Sequence, residues 1–236
     1  MTILRQDTFS YNFLRYVHRK IYVFINNSFV VPSRAKYFKQ NSLNVLKKLQ
    51  SDLTELNVEF FFCFGTLLGM VRDGELILRD GDLDLVIHEE DQVKVNNIAQ
   101  HLIQKGYKHK FRTYVDELGI TSDTFYFTKV RMDIHYLFRK EKDFIYLPLE
   151  SKTVRTTILP LNRIDYYMSY LELPKCKKIV LRKFKDMYVN IPNNFEDILE
   201  ALYGKTWKIP DPNFHYGNSF YSCQKKLDME GFSEKI

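Results

Sequence analysis

The sequence predicts a domain of the α+β (α/β) class, with a mixed sheet flanked by helices. Leucines recur at helical spacing before residue 57, and segments rich in aromatic and β-branched residues follow between residues 58 and 147. A further helical pattern lies near residue 200. With 236 residues, 45% of them hydrophobic, the chain can bury a substantial core, so a globular protein is expected.

Three helices are predicted from apolar spacing and end signals, and a short helix is expected after Thr66 through Arg72. The first is marked by leucines three or four residues apart, which are Leu43, Leu46, Leu49, Leu53 and Leu56. Asn57 is expected to end it. The second follows Asp91 as its cap and stops at Gly106. The third covers residues 195–203, with Asn193 or Asn194 as cap and Gly204 as terminator.

Strands are predicted at residues 58–64, 80–87, 107–115, 124–127, 130–138 and 144–147, with a polar hairpin turn at 140–143. The pattern weakens over residues 148–174, which we interpret as strand and loop. The C-terminal residues become polar from Gln224, and we expect that end to fray.

The stretch from residue 60 to 87 carries the chemistry. Gly65 and Thr66 are expected to end a buried strand in a turn whose backbone N–H groups can face an anion. Further on, Asp82 and Asp84 share one face of an extended strand, while Asp80 is a weaker neighbour. Carboxylates about 6–7 Å apart along a strand can hold Mg²⁺ or Mn²⁺ through oxygen ligands. A metal site is therefore predicted at Asp82 and Asp84.

A third carboxylate, Asp133, lies in an apolar strand, where a lone aspartate is costly unless it is paired or metal-bound. If the apolar residues on either side of it face the core, Arg131, Asp133 and His135 share the opposite face with a pocket. The alternative is that Asp133 forms an ion pair with Arg131 or a nearby lysine on an open sheet surface.

Composition and motif spacing weigh against several other classes. The aspartate run is not a calcium loop, because the sixth and twelfth positions are Leu85 and Asp91 instead of Gly and Glu. Three cysteines, odd in number and far apart, indicate neither a disulfide framework nor a zinc pattern. The net charge of +6 suits anionic partners, and no nucleic acid is expected.

The sequence predicts a cytoplasmic protein without a cleavable signal. Its longest uncharged stretch, residues 21–32, is too short to span a bilayer. Apolar residues at helical spacing over residues 13–25, beside basic side chains, allow a peripheral contact with the inner face of a membrane. Packing of this segment on its own domain is the favoured interpretation.

Several blocks of the chain resemble the LicD/fukutin family. These are GTLLG at residues 65–69 with Arg72, ILRDGDLD at 77–84, DIH at 133–135, and LYG at 202–204 with Trp207 and Pro210. Arg79 stands where the family usually has Trp, and Gly81 replaces the middle Asp of its aspartate triplet. Because Gly81 alternates away from the other aspartates, its presence removes no ligand from their face.

The resemblance implies a nucleotidyltransferase-like (polymerase-β-like) fold and a LicD-type phosphotransferase. Such an enzyme moves a phospho-alcohol, phosphocholine or an alditol phosphate, from a CDP-linked donor to a hydroxyl of a glycan or glycolipid, with release of CMP. The chain would then divide into an N-terminal helical extension (1–40), a catalytic domain (41–210) and a C-terminal tail (211–236).

The resemblance also implies roles for single residues. Asp82, Asp84 and Asp133 are the expected catalytic and metal-binding residues, with Asp133 either a ligand or the base. The donor phosphates are expected at Gly65, Thr66 and Arg72. Accessory candidates are Asp80, Arg79, Lys129, Arg131, His135, Tyr203, Trp207 and His215.

Three alternative functions stay open at this point. A nucleotidyltransferase would leave a nucleotide on its acceptor, and a DxD glycosyltransferase would release a nucleoside diphosphate. A non-catalytic glycan- or nucleotide-binding module would show binding without turnover.

Overall fold

The computed structural model describes residues 31–88, 92–138, 144–155, 163–211 and 223–236. Its helices are α1 (Val31–Glu55), α2 (Phe64–Leu68), α3 (Gln92–Gln104) and α4 (Phe195–Tyr203), with a π-helical turn at Gly69–Asp73. The strands are β1 (Phe60–Phe62), β2 (Asp82–Ile87), β3 (Lys108–Val115), β4 (Gly119–Phe127), β5 (Val130–Tyr136), β6 (Phe144–Arg155), β7 (Arg163–Pro174), β8 (Ile179–Phe184), β9 (Met187–Pro192) and β10 (Gln224–Lys235).

Eight strands form one mixed sheet in the order β1-β2-β5-β4-β3-β10-β7-β6. β2 and β5 run parallel, and the other neighbouring pairs described in this sheet are antiparallel. β5 and β6 lie far apart in that order, yet Phe138 and Tyr146 exchange backbone hydrogen bonds of 3.0 and 3.1 Å. The sheet therefore curls until β6 returns to the end of β5. β8 and β9 form a separate hairpin.

The α+β class and most of the elements predicted from the sequence are confirmed. Leu46, Leu49 and Leu53 of α1 are fully buried in the main core, as their spacing predicts. Asn57, which follows this helix, has a left-handed backbone with φ of 55°. α4 covers the predicted range and ends at Gly204, but the Asn194 side chain donates to the Lys175 carbonyl instead of capping the helix.

Alternation of buried and partly buried side chains is also confirmed in β5 and in the first half of β2. Leu83 and Leu85 are fully buried, whereas Asp82 and Asp84, which alternate with them, lie on the other face. In β5 the even-numbered residues pack into the core, which leaves the odd-numbered ones for the opposite side.

Two local predictions are wrong, and one is confirmed in part. Residues 148–174, interpreted as strand and loop, contribute to the strands β6 and β7. Gly65 and Thr66 do not form a turn, because the strand ends at Phe62 and both residues lie buried within α2. The C-terminus does not fray, because β10 pairs with β3 on one side and with β7 on the other.

The division of the chain at residues 40 and 210 stays a prediction, although α1 continues through the first of these positions. The Asp91 cap and the hairpin turn at 140–143 lie outside the described residues, as do residues 1–30. Across the part of the chain that is described, no helix has the length and apolar character needed to cross a membrane.

Candidate active site

The three predicted carboxylates meet on two neighbouring strands. In the parallel pairing of β2 with β5, Asp84 lies beside Asp133, and Asp82 lies beside Arg131. Residues directly opposite in a sheet project from the same face, so these four side chains share one side of it. The opposite side carries buried leucines of β2, which fix the register because a one-residue slip would place the carboxylates in the core.

Carboxyl groups are concentrated on this face of the sheet, where ionising them carries a large electrostatic cost. Burial raises the pKa of Asp82 to about 8, with repulsion from Asp84 and Asp133 acting in the same direction. Burial likewise holds the pKa of Asp84 well above its usual range, and Asp133 and Asp80 add to the shift. Arg131 opposes both shifts without cancelling them. A cation placed among these oxygens would relieve the repulsion.

Asp133 has the closest partners of the three. Thr124 Oγ1, directly across from it on β4, donates to Asp133 Oδ1 at 2.7 Å, and Arg131 Nε lies 2.9 Å from Asp133 Oδ2. The predicted alternative of an Asp133–Arg131 ion pair is thus realised, but on a face that also carries Asp84. The two interpretations are compatible.

The other two aspartates have longer contacts with basic side chains. Arg34 Nη2 of α1 lies 3.7 Å from Asp82 Oδ2, and His135 Nε2 lies 3.8 Å from Asp84 Oδ1. Arg34 and Thr124 were missed by the sequence analysis. Arg34 is far from the motif along the chain, and only the packing of α1 against the sheet brings it there.

α2 and the residue before it hold the backbone of Asp84 in place. The Asp84 N–H donates to Thr66 Oγ1 at 2.9 Å, and the Cys63 N–H donates to the Asp84 carbonyl at 3.1 Å. Phe64, between them, has φ of 49°, a left-handed conformation that is costly for a bulky residue, and its ring packs against His135. Such strain clusters at functional sites. Thr66 therefore holds the backbone of Asp84 in this structure, and the predicted contact of Gly65 and Thr66 with phosphate stays a prediction.

The second glycine of the GTLLG block has a separate, steric reason. A Cβ added to Gly69 would lie 2.5 Å from the Glu75 carbonyl oxygen and 3.1 Å from the Ile77 nitrogen. Gly69 thus lets the segment before the aspartates pack closely on the π-helical turn. π-Helical turns of this kind are frequent at functional sites.

A first cavity of about 290 Å³ lies beside this turn. It contains most of the predicted donor-side and accessory residues, which are Gly65, Arg72, Arg79, Asp80, Tyr203 and Trp207. The Arg72 guanidinium makes two hydrogen bonds of 2.7 Å to Asp73, and Arg79 Nη2 lies 3.5 Å from the Asp211 carbonyl. Two guanidinium groups and an indole therefore surround one concave space.

Asp80 departs from the alternation predicted for the aspartate run. Gly81 has φ of 77°, so the backbone is not extended between Asp80 and Asp82. Asp80 lines the first cavity, whereas Asp82 begins β2. The aspartates at 82 and 84 form one pair on β2, and Asp80 precedes the strand but still acts electrostatically on Asp84.

A second cavity, of about 360 Å³, lies within the curl of the sheet, and Arg131, Asp133 and His135 form part of its wall. The pocket predicted on the odd-numbered face of β5 is therefore present. Lys129 lies elsewhere, where its ammonium donates to the Tyr37 hydroxyl at 2.7 Å. His215 lies outside the described residues.

Carboxylate oxygens are the ligands that a hard divalent cation prefers. The described side chains, however, are not arranged as a complete three-ligand metal site. Among the described residues, no group of three or more His, Cys, Asp and Glu side chains is arranged to hold a metal. Asp133 is turned towards Arg131 and Thr124, while Asp82 and Asp84 keep raised pKa values. Two buried, mutually repelling carboxylates fit Mg²⁺ or Mn²⁺, which bind in proteins through one or two carboxylates plus other oxygens.

The geometry agrees with an independent comparison of sequences. Residues 57–194, more than half of the chain, match the family model described as LicD/FKTN/FKRP, nucleotidyltransferase domain. The chain belongs to the LicD/FKTN/FKRP family. The matched range includes the three carboxylates, α2 and the β8–β9 hairpin, and it ends at the start of α4.

Curated relatives support the same assignment. The chain is 28% identical over 176 residues to ribitol-5-phosphate transferase FKTN of Macaca fascicularis, and 27% identical over 173 residues to that of Homo sapiens. These alignments cover 75% and 73% of this chain but 35% and 34% of the relatives, so the chain spans about a third of their length. An uncharacterised protein of Rickettsia typhi is 32% identical over 127 residues, covering 53% of this chain and 38% of that protein.

Proposed function

We propose that this chain transfers a phospho-alcohol from a CDP-linked donor to a hydroxyl of a glycan or glycoconjugate. The observation that carries the proposal is the juxtaposition of Asp84 with Asp133 on parallel strands, with Asp82 two residues before Asp84. Family membership supports phosphotransfer as the reaction. The relatives named ribitol-5-phosphate transferase favour an alditol phosphate over phosphocholine.

Asp82 and Asp84 would hold Mg²⁺ or Mn²⁺, since their burial and mutual repulsion favour binding of a cation. A divalent ion in such a site neutralises phosphate oxygens as the leaving group departs. Thr66 keeps the backbone of Asp84 in place, and Arg34 is a further cation close to Asp82.

In the reaction, a bond forms between the acceptor oxygen and the phosphorus of the phospho-alcohol, and the phosphoanhydride bond to CMP breaks. The acceptor hydroxyl proton passes to Asp133, whose orientation is fixed by Thr124 and Arg131. His135 is the second candidate for this role. Asp133 is a candidate third metal ligand as well as the candidate base. Substitution at this position separates the two roles, because loss of a ligand lowers the affinity for metal and loss of the base does not.

The first cavity suits the nucleotide end of the donor. Arg72 and Arg79 supply guanidinium groups for phosphate oxygens, and the ring of Trp207 offers a surface on which a base can stack. Arg72 would exchange its contacts with Asp73 for contacts with phosphate. This exchange costs little, because the new pair is equally charge-assisted.

A donor screen tests the proposal. The purified chain is incubated with CDP-ribitol, CDP-glycerol or CDP-choline, in Mn²⁺ or in EDTA, and CMP is quantified. We expect CMP from at least one donor, and only with the metal. The Asp116→Asn variant is the control, since Asp116 is exposed at the end of β3.

Other outcomes would contradict the proposal in distinguishable ways. Transfer of a nucleotide from CTP would show a nucleotidyltransferase, and release of CDP would show a glycosyltransferase. Binding of CDP that is indifferent to metal, without turnover of any donor, would indicate a binding module.

A further inference from the structure

The second cavity is lined by strands that include pairs far apart in the sequence. Its wall takes residues from β3, β4, β5, β6, β7 and β10, which follow one another around the curl of the sheet. The Phe138–Tyr146 pairing closes this curl at the far end of β5. A volume of about 360 Å³ is within the range of roughly 300–1,000 Å³ typical of small-molecule sites.

The lining of this cavity is rich in hydroxyl groups. Strands β3, β4, β7 and β10 contribute five of them, which belong to Thr113, Ser122, Thr124, Tyr166 and Ser233. Hydroxyl groups both donate and accept hydrogen bonds, as do the hydroxyls of a sugar. Apolar side chains complete the wall, including Leu149, Ile164 and Met168, and they can cover the C–H faces of a sugar ring.

Polar composition distinguishes this cavity from the first. Its guanidinium, Arg131, lies against Asp133 at 2.9 Å, and five hydroxyl groups share its wall. The first cavity carries two guanidinium groups, Arg72 and Arg79, beside aromatic rings, with Asp80 and Asp211 also in its wall. Two convergent guanidinium groups are better matched to phosphate, and a wall rich in hydroxyls is better matched to a neutral polyhydroxylated group.

The position of the second cavity relates it to the carboxylates. Asp133 is part of its wall and is also the direct neighbour of Asp84 across the sheet. A hydroxyl bound at this end of the cavity would lie next to the residues proposed to handle the phosphate. The part of the cavity near β6 would hold the rest of the ring.

The geometry points to the second cavity as the site that binds the terminal sugar of the acceptor glycan, with the reacting hydroxyl directed at Asp133. This inference deepens the proposed function and rests on it. It gives the two cavities separate tasks, in which the first holds the nucleotide part of the donor and the second holds the acceptor.

The first test uses the hydroxyl pair on the wall. Thr113 Oγ1 and Ser233 Oγ lie 2.6 Å apart, and both residues are buried. Replacing both by apolar groups, as Thr113→Val with Ser233→Ala, removes both members of this hydrogen bond together, and circular dichroism checks that the variant is folded. We expect the KM for the acceptor to rise at least tenfold, while CMP release without acceptor stays unchanged.

A second variant fills the cavity in case the hydroxyl pair contributes little. Ser122→Phe, on β4, should abolish transfer to the acceptor but retain donor hydrolysis. Thr54→Val is the matched control, because this hydroxyl lies exposed on α1 and bonds to the Gln50 carbonyl. If the variants raise the KM for the donor and leave that of the acceptor unchanged, the cavity holds the donor alditol and the inference is wrong.

Binding measurements keep the inference separate from the proposed function. Saturation-transfer NMR with a panel of methyl glycosides needs no donor and no turnover. We expect at least one glycoside to bind the wild-type chain and the Thr54→Val variant but not Ser122→Phe. Equal binding to Ser122→Phe, or no binding to the wild type, would overturn the inference even if the donor screen succeeds.

Discussion

Two clusters of charged side chains on opposite faces of the same sheet have opposite electrostatic character. On the face towards α3, Asp123 is 1% exposed and is fully supplied with donors. Arg112 Nε and Nη2 lie 2.7 and 2.9 Å from its two carboxylate oxygens, His109 Nε2 lies at 2.7 Å, and the Tyr136 hydroxyl donates at 2.9 Å. A third nitrogen of Arg112 donates to the Asn96 side chain at 2.6 Å.

On the other face, Asp82 and Asp84 are partly buried, and neighbouring carboxylates add to the rise that burial causes in their pKa values. Their contacts with basic side chains, Arg34 and His135, are 3.7 and 3.8 Å long. The two clusters therefore indicate different roles for their aspartates. One whose hydrogen bonds are met by fixed neighbours stabilises a fold, whereas two that repel each other store free energy that a cation can release.

The largest effect on stability is expected from the first cluster. Asp123→Asn removes the negative charge and leaves the Arg112 guanidinium buried without compensation, which should lower the free energy of unfolding by about 3–5 kcal/mol. Denaturant titration followed by circular dichroism measures it. The exposed Asp116→Asn change on the same sheet should leave stability unaltered, and equal stability of the two variants would show that Asp123 is not a structural charge.

Asp84→Asn should reduce activity strongly and affect stability little, which is the reverse of what is expected for Asp123→Asn. We expect CMP release to fall by about 10²–10³-fold, because an electrostatic contribution made in the transition state is lost. The melting temperature should stay the same or rise, since a repelling buried charge is removed while the Asp84 N–H keeps its bond to Thr66. Activity within tenfold of the wild type would refute the role given to this carboxylate, and a collapse of stability would make it structural, like Asp123.

The smallest effect concerns the glycine that departs from the family pattern. Gly81→Asp meets no atom within 4 Å of the new Cβ, but the φ of 77° is strained for any side chain, at a cost of about 1 kcal/mol. Activity should stay within threefold. Gly74→Asp is the matched control, since Gly74 also has a positive φ, 65°, and open space around it. A loss of activity specific to Gly81→Asp would place the turn before β2 among the functional elements.

The sequence predicted which side chains share the face of the candidate site, because the signals for this are local. Two-residue alternation placed Asp82 and Asp84 together, and the same rule placed Arg131, Asp133 and His135 on the cavity side of β5. The cluster around Asp123 was not foreseen. A register shift between His109 and Phe111 interrupts the alternation in β3, so that His109 and Arg112 both reach Asp123.

The sequence by itself determined the α+β class, the main helices, the family and the carboxylates, because periodicity and motif spacing are properties of neighbouring residues. Tertiary structure alone decided the rest. It converted Gly65 and Thr66 from a turn into a helix that holds Asp84, placed the C-terminal strand between β3 and β7, and brought Arg34 to Asp82. Each depends on contacts between residues remote in sequence, which follow from the packing of the whole chain.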